Sequence, residues 1–116
     1  MFVLNNFLNT NKERIKKNNI TILLNKTGYQ TAMVGKWHLR DAPESFDYYS
    51  VLPSQGRYHN PLLYSRDEGE MRKIRFDSQL SKKVRVKEYQ GHSSDVITNI
   101  TLDWLENKRK KEEPFF

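Results

Sequence analysis

The densest group of chemistry-bearing side chains lies in the run Gly28-Tyr29-Gln30-Thr31-Ala32-Met33-Val34-Gly35-Lys36-Trp37-His38-Leu39. A short apolar, β-prone stretch from Tyr29 to Gly35 is followed at once by a lysine, an indole and an imidazole. In α/β folds, groups just past the carboxyl end of a strand project into the ligand crevice. Lys36 and His38 are two residues apart, so in extended chain both side chains leave from one side. A fixed cation beside an imidazole suits the binding and activation of an oxyanion. A plainer alternative stays open, in which Lys36 is a surface cation and His38 a structural residue at the start of a loop.

These residues need elements to position them. Ile20 to Asn25 reads as the last turns of a helix, with Lys26 at its negative end and Gly28 as a left-handed stop. Helix, glycine and buried strand form the αβ half of an α/β unit. From Arg40 to Asp67 the chain carries Pro43, Pro53 and Pro61 among Phe46, Tyr48, Tyr49, Tyr58 and Tyr64. This composition predicts a long, packed, functional loop. Met71–Phe76 and Lys82–Tyr89 read as half-polar strands paired in an antiparallel hairpin. A helix follows, capped by Ser94 with Asp95 in its first turn, and Val96, Ile97, Ile100, Trp104 and Leu105 mark its apolar face. Lys108-Arg109-Lys110-Lys111 suits its C-terminal end, Pro114 ends it, and Phe115-Phe116 reads as the opening of another buried strand. Residues 1–19 form a poorly specified lead-in, and 20–116 form the folded part.

The chain has 116 residues, enough for one domain. Lys and Arg number 20 against 14 Asp and Glu, a net charge of +6, which favours anionic partners: nucleic acid, anionic lipid, or sulfated and phosphorylated substrates. There is no cysteine, which excludes disulfides, thiolate metal sites and a cysteine nucleophile. No stretch approaches the ~20 apolar residues that span a bilayer. The apolar start, Met1 to Leu8, lacks a basic lead and a small-residue cleavage site, so no signal peptide is read there and localisation is left unassigned.

The segment 28–39 resembles the second signature of the sulfatase family, Gly-Tyr-x-Thr-x-x-x-Gly-Lys-x-His-Leu, with every named position matched. Phe46-Asp47-Tyr48-Tyr49 and Val51 to Pro61 resemble the loop that follows in carbohydrate-acting members, and Gly91 to Phe116 resembles the later helix and the strand it feeds. The resemblance implies an α/β, alkaline-phosphatase-like fold, here as an incomplete sheet with flanking helices and a long loop. It implies hydrolysis of sulfate esters or sulfamates of carbohydrates, a formylglycine nucleophile made from Cys or Ser, and calcium holding the sulfate. Lys36 would contact the sulfate and the nucleophile, and His38 would hydrogen-bond the nucleophile's hydroxyl. Gln55, Arg57, His59 and Asn60 would line the sugar pocket, Arg57 meeting an anionic group bidentately. A turn-rich loop satisfying its own backbone remains the alternative for those four.

Several family features have no counterpart in this chain. The nucleophile motif Cys/Ser-x-Pro-Ser-Arg is absent, Ser50-Val51-Leu52-Pro53-Ser54-Gln55 being a near miss, and there are no adjacent aspartates to ligate a metal. Arg40 and Ser54 stand where relatives commonly carry Gly. No metal ligand and no formylglycine site is therefore assigned within the chain. The expectation is a middle portion of a sulfatase that lacks turnover on its own and meets a sulfated carbohydrate, with no nucleic-acid or membrane partner. A second reading is a small, basic, non-catalytic module for anionic polymers, either sulfated polysaccharide or nucleic acid. His92 and Trp104 are expected to be structural.

Overall fold

A computed structural model describes residues 19–39 and 41–116. Apart from Asn19, the lead-in lies outside the described residues. Helix α1 spans Ile20–Lys26, and the Asn19 side chain accepts a hydrogen bond from the Thr21 N–H at 3.0 Å. Its end is built around Gly28, at φ 92°. The Gly28 N–H donates to the Asn25 carbonyl at 3.1 Å and the Tyr29 N–H to the Leu24 carbonyl at 3.0 Å. This is the paired closure that only a left-handed residue after the cap allows, as the sequence predicts.

Five strands follow: β1 (Ala32–Lys36), β2 (Tyr48–Leu52), β3 (Leu62–Ser65), β4 (Glu70–Arg75) and β5 (Ser81–Glu88). They form one mixed sheet in the order β1-β2-β3-β5-β4, with β1 and β2 parallel and the other pairs antiparallel. The expected excursion over residues 40–67 is therefore divided, because it contains β2 and β3. Tyr48 to Leu52 and Leu62 to Ser65 are short, nearly continuous apolar runs, the pattern of strands covered on both faces. Pro53 and Pro61 sit just outside these strands, where the missing N–H costs no ladder bond. Loops remain on either side, at 37–47 and 53–61.

Alternation along the strands sorts the core into two layers. Tyr49, Val51, Tyr64 and Val86 pack on one face with Met33, Trp37, Ile74, Phe76 and Val84 around them. Leu52 and Leu63 point to the other face, where Val96 of helix α2 (Ser93–Asp103) covers them, flanked by Ile97 and Ile100. Each such side chain, once buried, contributes about 1.5–3 kcal/mol. Helix α2 is capped by His92 and not by Ser94: the His92 Nδ1 accepts from the Ser94 N–H at 3.1 Å. Any acceptor that reaches back over the first turn can fill this role, and the imidazole does so here.

The helix widens into a π-helical segment, Trp104–Lys108, closed by the Arg109 N–H donating to the Trp104 carbonyl at 2.9 Å. It ends there, well before Pro114. Buried Gln30 then pins the descending chain. Its Nε2 donates to the Lys110 and Glu113 carbonyls at 2.6 and 3.0 Å, and its Oε1 accepts from the Lys110 N–H at 2.8 Å. Phe115 consequently pairs with Gln30 in parallel fashion beside β1, but as an isolated bridge with Phe115 and Phe116 both exposed, so the expected buried strand is not formed among the described residues.

Candidate functional site

Lys36 is the last residue of β1 and is exposed. Its Nζ donates to the Gln55 Oε1 at 2.7 Å, so two of the residues singled out in the sequence meet across 19 positions. Gln55 is carried by the tight turn after β2, closed by the Gly56 N–H donating to the Pro53 carbonyl at 3.1 Å. Within it Ser54 has φ 55° and Gly56 φ 75°. A Cβ on Gly56 would come within 2.9 Å of the Leu52 side chain, so the turn needs glycine there for space as well as conformation. The positive φ of Ser54 accounts physically for a position at which the resembling loops carry Gly.

Beyond Lys36, the Trp37 indole donates to the Asp41 carbonyl at 2.7 Å and meets Phe46 edge-on at 6.0 Å. Trp37 thereby turns inward and leaves His38 exposed on the rim of a cleft of about 280 Å³ lined by Trp37, His38, Leu39, Ser54, Phe76 and Asp77. A second cleft, about 410 Å³, is lined by Pro53, Ser54, Gln55, Gly56, Arg57, Leu62 and Ile74. Ser54 belongs to both; Lys36 lines neither and reaches this corner of the molecule through its contact with Gln55.

The remaining candidates are held differently. Arg57 Nη1 lies 3.8 Å from Glu88 Oε1, an exposed pair that leaves the guanidinium at the second cleft. His59 stacks edge-on against His92 at 5.2 Å, and the two residues form an antiparallel bridge. The Asn60 Oδ1 accepts from the Gly91 N–H at 2.9 Å, and the Asn60 N–H donates to the Gly91 carbonyl at 2.8 Å. His59 and Asn60 line neither cleft; they brace the loop against the start of α2. Sequence reasoning missed Ser54, Phe76 and Asp77 as lining residues. The signal for Asp77 was its Asx turn, in which Oδ1 accepts from the N–H groups of Gln79 and Leu80 at 2.7 and 2.8 Å.

The signature's threonine has a positioning role. The Thr31 N–H donates to Asp47 Oδ2 at 2.8 Å, and the Asp47 N–H donates to Thr31 Oγ1 at 3.1 Å. This reciprocal clasp sets the register of β1 against β2, and with it the height of Lys36 relative to Gln55.

At the opposite end of β2 lies a second polar constellation. Lys108 Nζ pairs with the Glu68 carboxylate, lies 3.6 Å from Asp103 Oδ2, and sits over the Tyr48 ring at 5.0 Å. Burial works against the Lys108 charge, but the hydrogen bond to Glu68 and the nearby Tyr48 outweigh it and hold the ammonium above its ordinary value. Burial, then the Glu68 charge, pushes Tyr89 up to about 12. Tyr48 is raised for the same two reasons. These groups border a cleft of about 390 Å³ in which Lys108 pairs with Glu68 and Asp103, while Lys87 at its margin lies over the Tyr89 ring.

Among the described residues no three His, Asp or Glu side chains converge in the way a metal ion requires. The Lys36 corner presents a cation, an imidazole and an amide, a donor set that does not fit calcium.

The chain thus carries a cation at the carboxyl end of a parallel strand, beside a polar turn, on an α/β frame. Comparison with known proteins shows that it is similar to carbohydrate sulfatases. The chain is 35% identical over 96 residues to the N-acetylglucosamine-6-O-sulfatase of Bacteroides thetaiotaomicron, which covers 80% of this chain and 14% of that protein. It is also similar to the solved structure of BT4656 in complex with its substrate D-glucosamine-2-N,6-O-disulfate, at a TM-score of 0.63 and 34% identity, over 82% of this chain and 16% of that one. No family model matches. The chain is a carbohydrate-sulfatase-like segment with a compact α/β fold, spanning a small part of the length of the proteins it resembles.

Proposed function

We propose that this segment supplies the sulfate-recognition arm of a carbohydrate sulfatase, and that its substrate is a sulfated amino sugar. The observation that carries the reading is the Lys36–Gln55 contact: the ammonium is anchored at 2.7 Å by a neutral amide oxygen, so it is oriented without being neutralised. An incoming sulfate ester would replace or share that amide as the partner of the ammonium, near the cleft that His38 and Ser54 line. Lys36 stabilises negative charge developing on the sulfuryl oxygens. His38 would hydrogen-bond the hydroxyl of the nucleophile. Calcium and the formylglycine nucleophile belong to this proposal as parts contributed by residues outside the described segment, and no step is derived through them. The 116-residue chain alone is then a binder without turnover. Similarity to sulfatases acting on 6-O-sulfated glucosamine supports the choice of sugar.

The test is an amide-resolved NMR titration of the chain with N-acetylglucosamine 6-sulfate. Shifts are expected at Lys36, His38, Ser54 and Gln55, and they should vanish in K36A/H38A. Shifts confined to the Lys108 end, or equal in the double variant, would sink the proposal.

A further inference from the structure

The two faces of the β4–β5 ribbon treat their cations differently. Register and alternation place Glu70, Arg72 and Ile74 with Lys82, Val84 and Val86 on the inward face, and Met71, Lys73 and Arg75 with Ser81, Lys83, Arg85 and Lys87 on the outward face. Inward cations are paired: Arg72 Nη2 lies 3.7 Å from Glu70 Oε2, and Lys82 Nζ 3.4 Å from Asp41 Oδ1. The outward face contains no carboxylate from either strand, and all five of its cations are exposed. Among the described residues none of the five forms an ion pair. Their partners are neutral: Arg75 Nε donates to the Asp77 carbonyl at 3.1 Å, Arg85 Nη1 to the Gly69 carbonyl at 3.3 Å, and Lys87 Nζ lies 5.0 Å from the centre of the Tyr89 ring.

Lys73 stands directly opposite Lys83, an arrangement that costs stability in a sheet. Protection of a sheet margin explains charge on β4, the last strand of the sheet. It does not explain Arg85, which lies in the part of β5 paired on both sides. Alternating signs would protect a margin equally well without the repulsion. A repulsive ladder retained on an open face has the form of a surface awaiting a polyanion.

We infer that this outward face binds a sulfated polysaccharide chain, at a surface distinct from the Lys36 corner. Along each strand the cations recur about every 7 Å and across the pair about every 5 Å, a ladder suited to a linear polymer with an anion on successive units. Arg75 and Arg85 can take sulfate groups bidentately. The face carries a single ring at its margin, Tyr89 beneath Lys87, and none within its two strands, too few for a stacking platform, which favours a glycan over single-stranded nucleic acid. The choice of a sulfated glycan rests on the function proposed above, whereas the cation ladder does not depend on it.

The experiment is fluorescence anisotropy of a labelled heparin dodecasaccharide with the 116-residue chain at two salt concentrations. K73T/K83T/R85T should bind about tenfold more weakly with a shallower salt dependence. K73R/K83R should match the wild type. If the circular dichroism of the triple variant departs from that of the wild type, the single variants K73T, K83T and R85T replace it, each expected to weaken binding at least twofold. Unchanged affinity in the folded triple variant, or in all three single variants, overturns the inference. So does equal affinity of the wild type for a single-stranded DNA 12-mer, which would give the face to nucleic acid. Loss of N-acetylglucosamine 6-sulfate binding in K36A/H38A, measured separately, reports only on the Lys36 corner, so the two readings can fail independently.

Discussion

Two lysines at opposite ends of the same sheet show how differently one side chain can be used. Lys108 has two carboxylates and an aromatic face, and its charge is spent inside the molecule. Lys36, among the described residues, has one neutral amide oxygen, which fixes its direction without neutralising its charge. The Lys108 end is a latch between the β3–β4 loop and the helix. The Lys36 end is oriented but electrostatically incomplete, and an incomplete cation on a rigid strand end is what ligand recognition requires.

The contrast can be broken in several ways, beginning with the largest effect. Raising the pH from about 10 to 12 should destabilise the protein, with the tyrosines of the Lys108 end contributing alongside buried Tyr49 and Tyr64. Tyr48 and Tyr89 have folded pKa values above the ordinary 10, so the native state retains protons that the unfolded chain releases. Stability is therefore complete below pH 10 and is lost as pH rises through the folded value, about 12 for Tyr89, as circular dichroism against pH would record. Trp104→Ala removes the buried ring that stacks on Tyr48 at 6.4 Å and should cost about 3–5 kcal/mol in denaturant unfolding. Gln30→Ala should cost about 1–3 kcal/mol, because it leaves the Lys110 N–H without its acceptor, and amide exchange at Phe116 should accelerate. Glu68→Gln weakens a partly exposed pair and should cost about 0.5–1 kcal/mol. Lys36→Ala should change stability by less than about 0.5 kcal/mol while abolishing the response to N-acetylglucosamine 6-sulfate. A large stability loss in that last variant would mean that the two ends are not different in kind.

Much of the Lys36 end was legible in the sequence because its determinants are local. The Gly28 stop, the apolar run to Gly35 and the Lys-x-His spacing are read within a dozen residues. Gln55 could be named from the resemblance, but its contact with Lys36 depends on the pairing of β1 with β2, which no local pattern encodes. Strands β2 and β3 were obscured because prolines crowd their ends, so punctuation that bounds a strand read as evidence of a loop. His92 was recognised as structural, yet its capping role was assigned to Ser94, the residue type that usually fills it. The Lys108 latch was invisible for a tertiary reason: Glu68 lies 40 residues away.

The pinning of Gln30 to the chain after the helix has a consequence for the order of assembly. The β4–β5 hairpin closes over a handful of residues, whereas the Gln30–Lys110 contact spans 80. Closing the longer loop costs more chain entropy and is rewarded only after the intervening sheet exists. The hairpin is therefore an early kinetic unit and the Phe115–Phe116 pairing a late one. Substitutions at Gln30 should accelerate unfolding while leaving the folding rate almost unchanged.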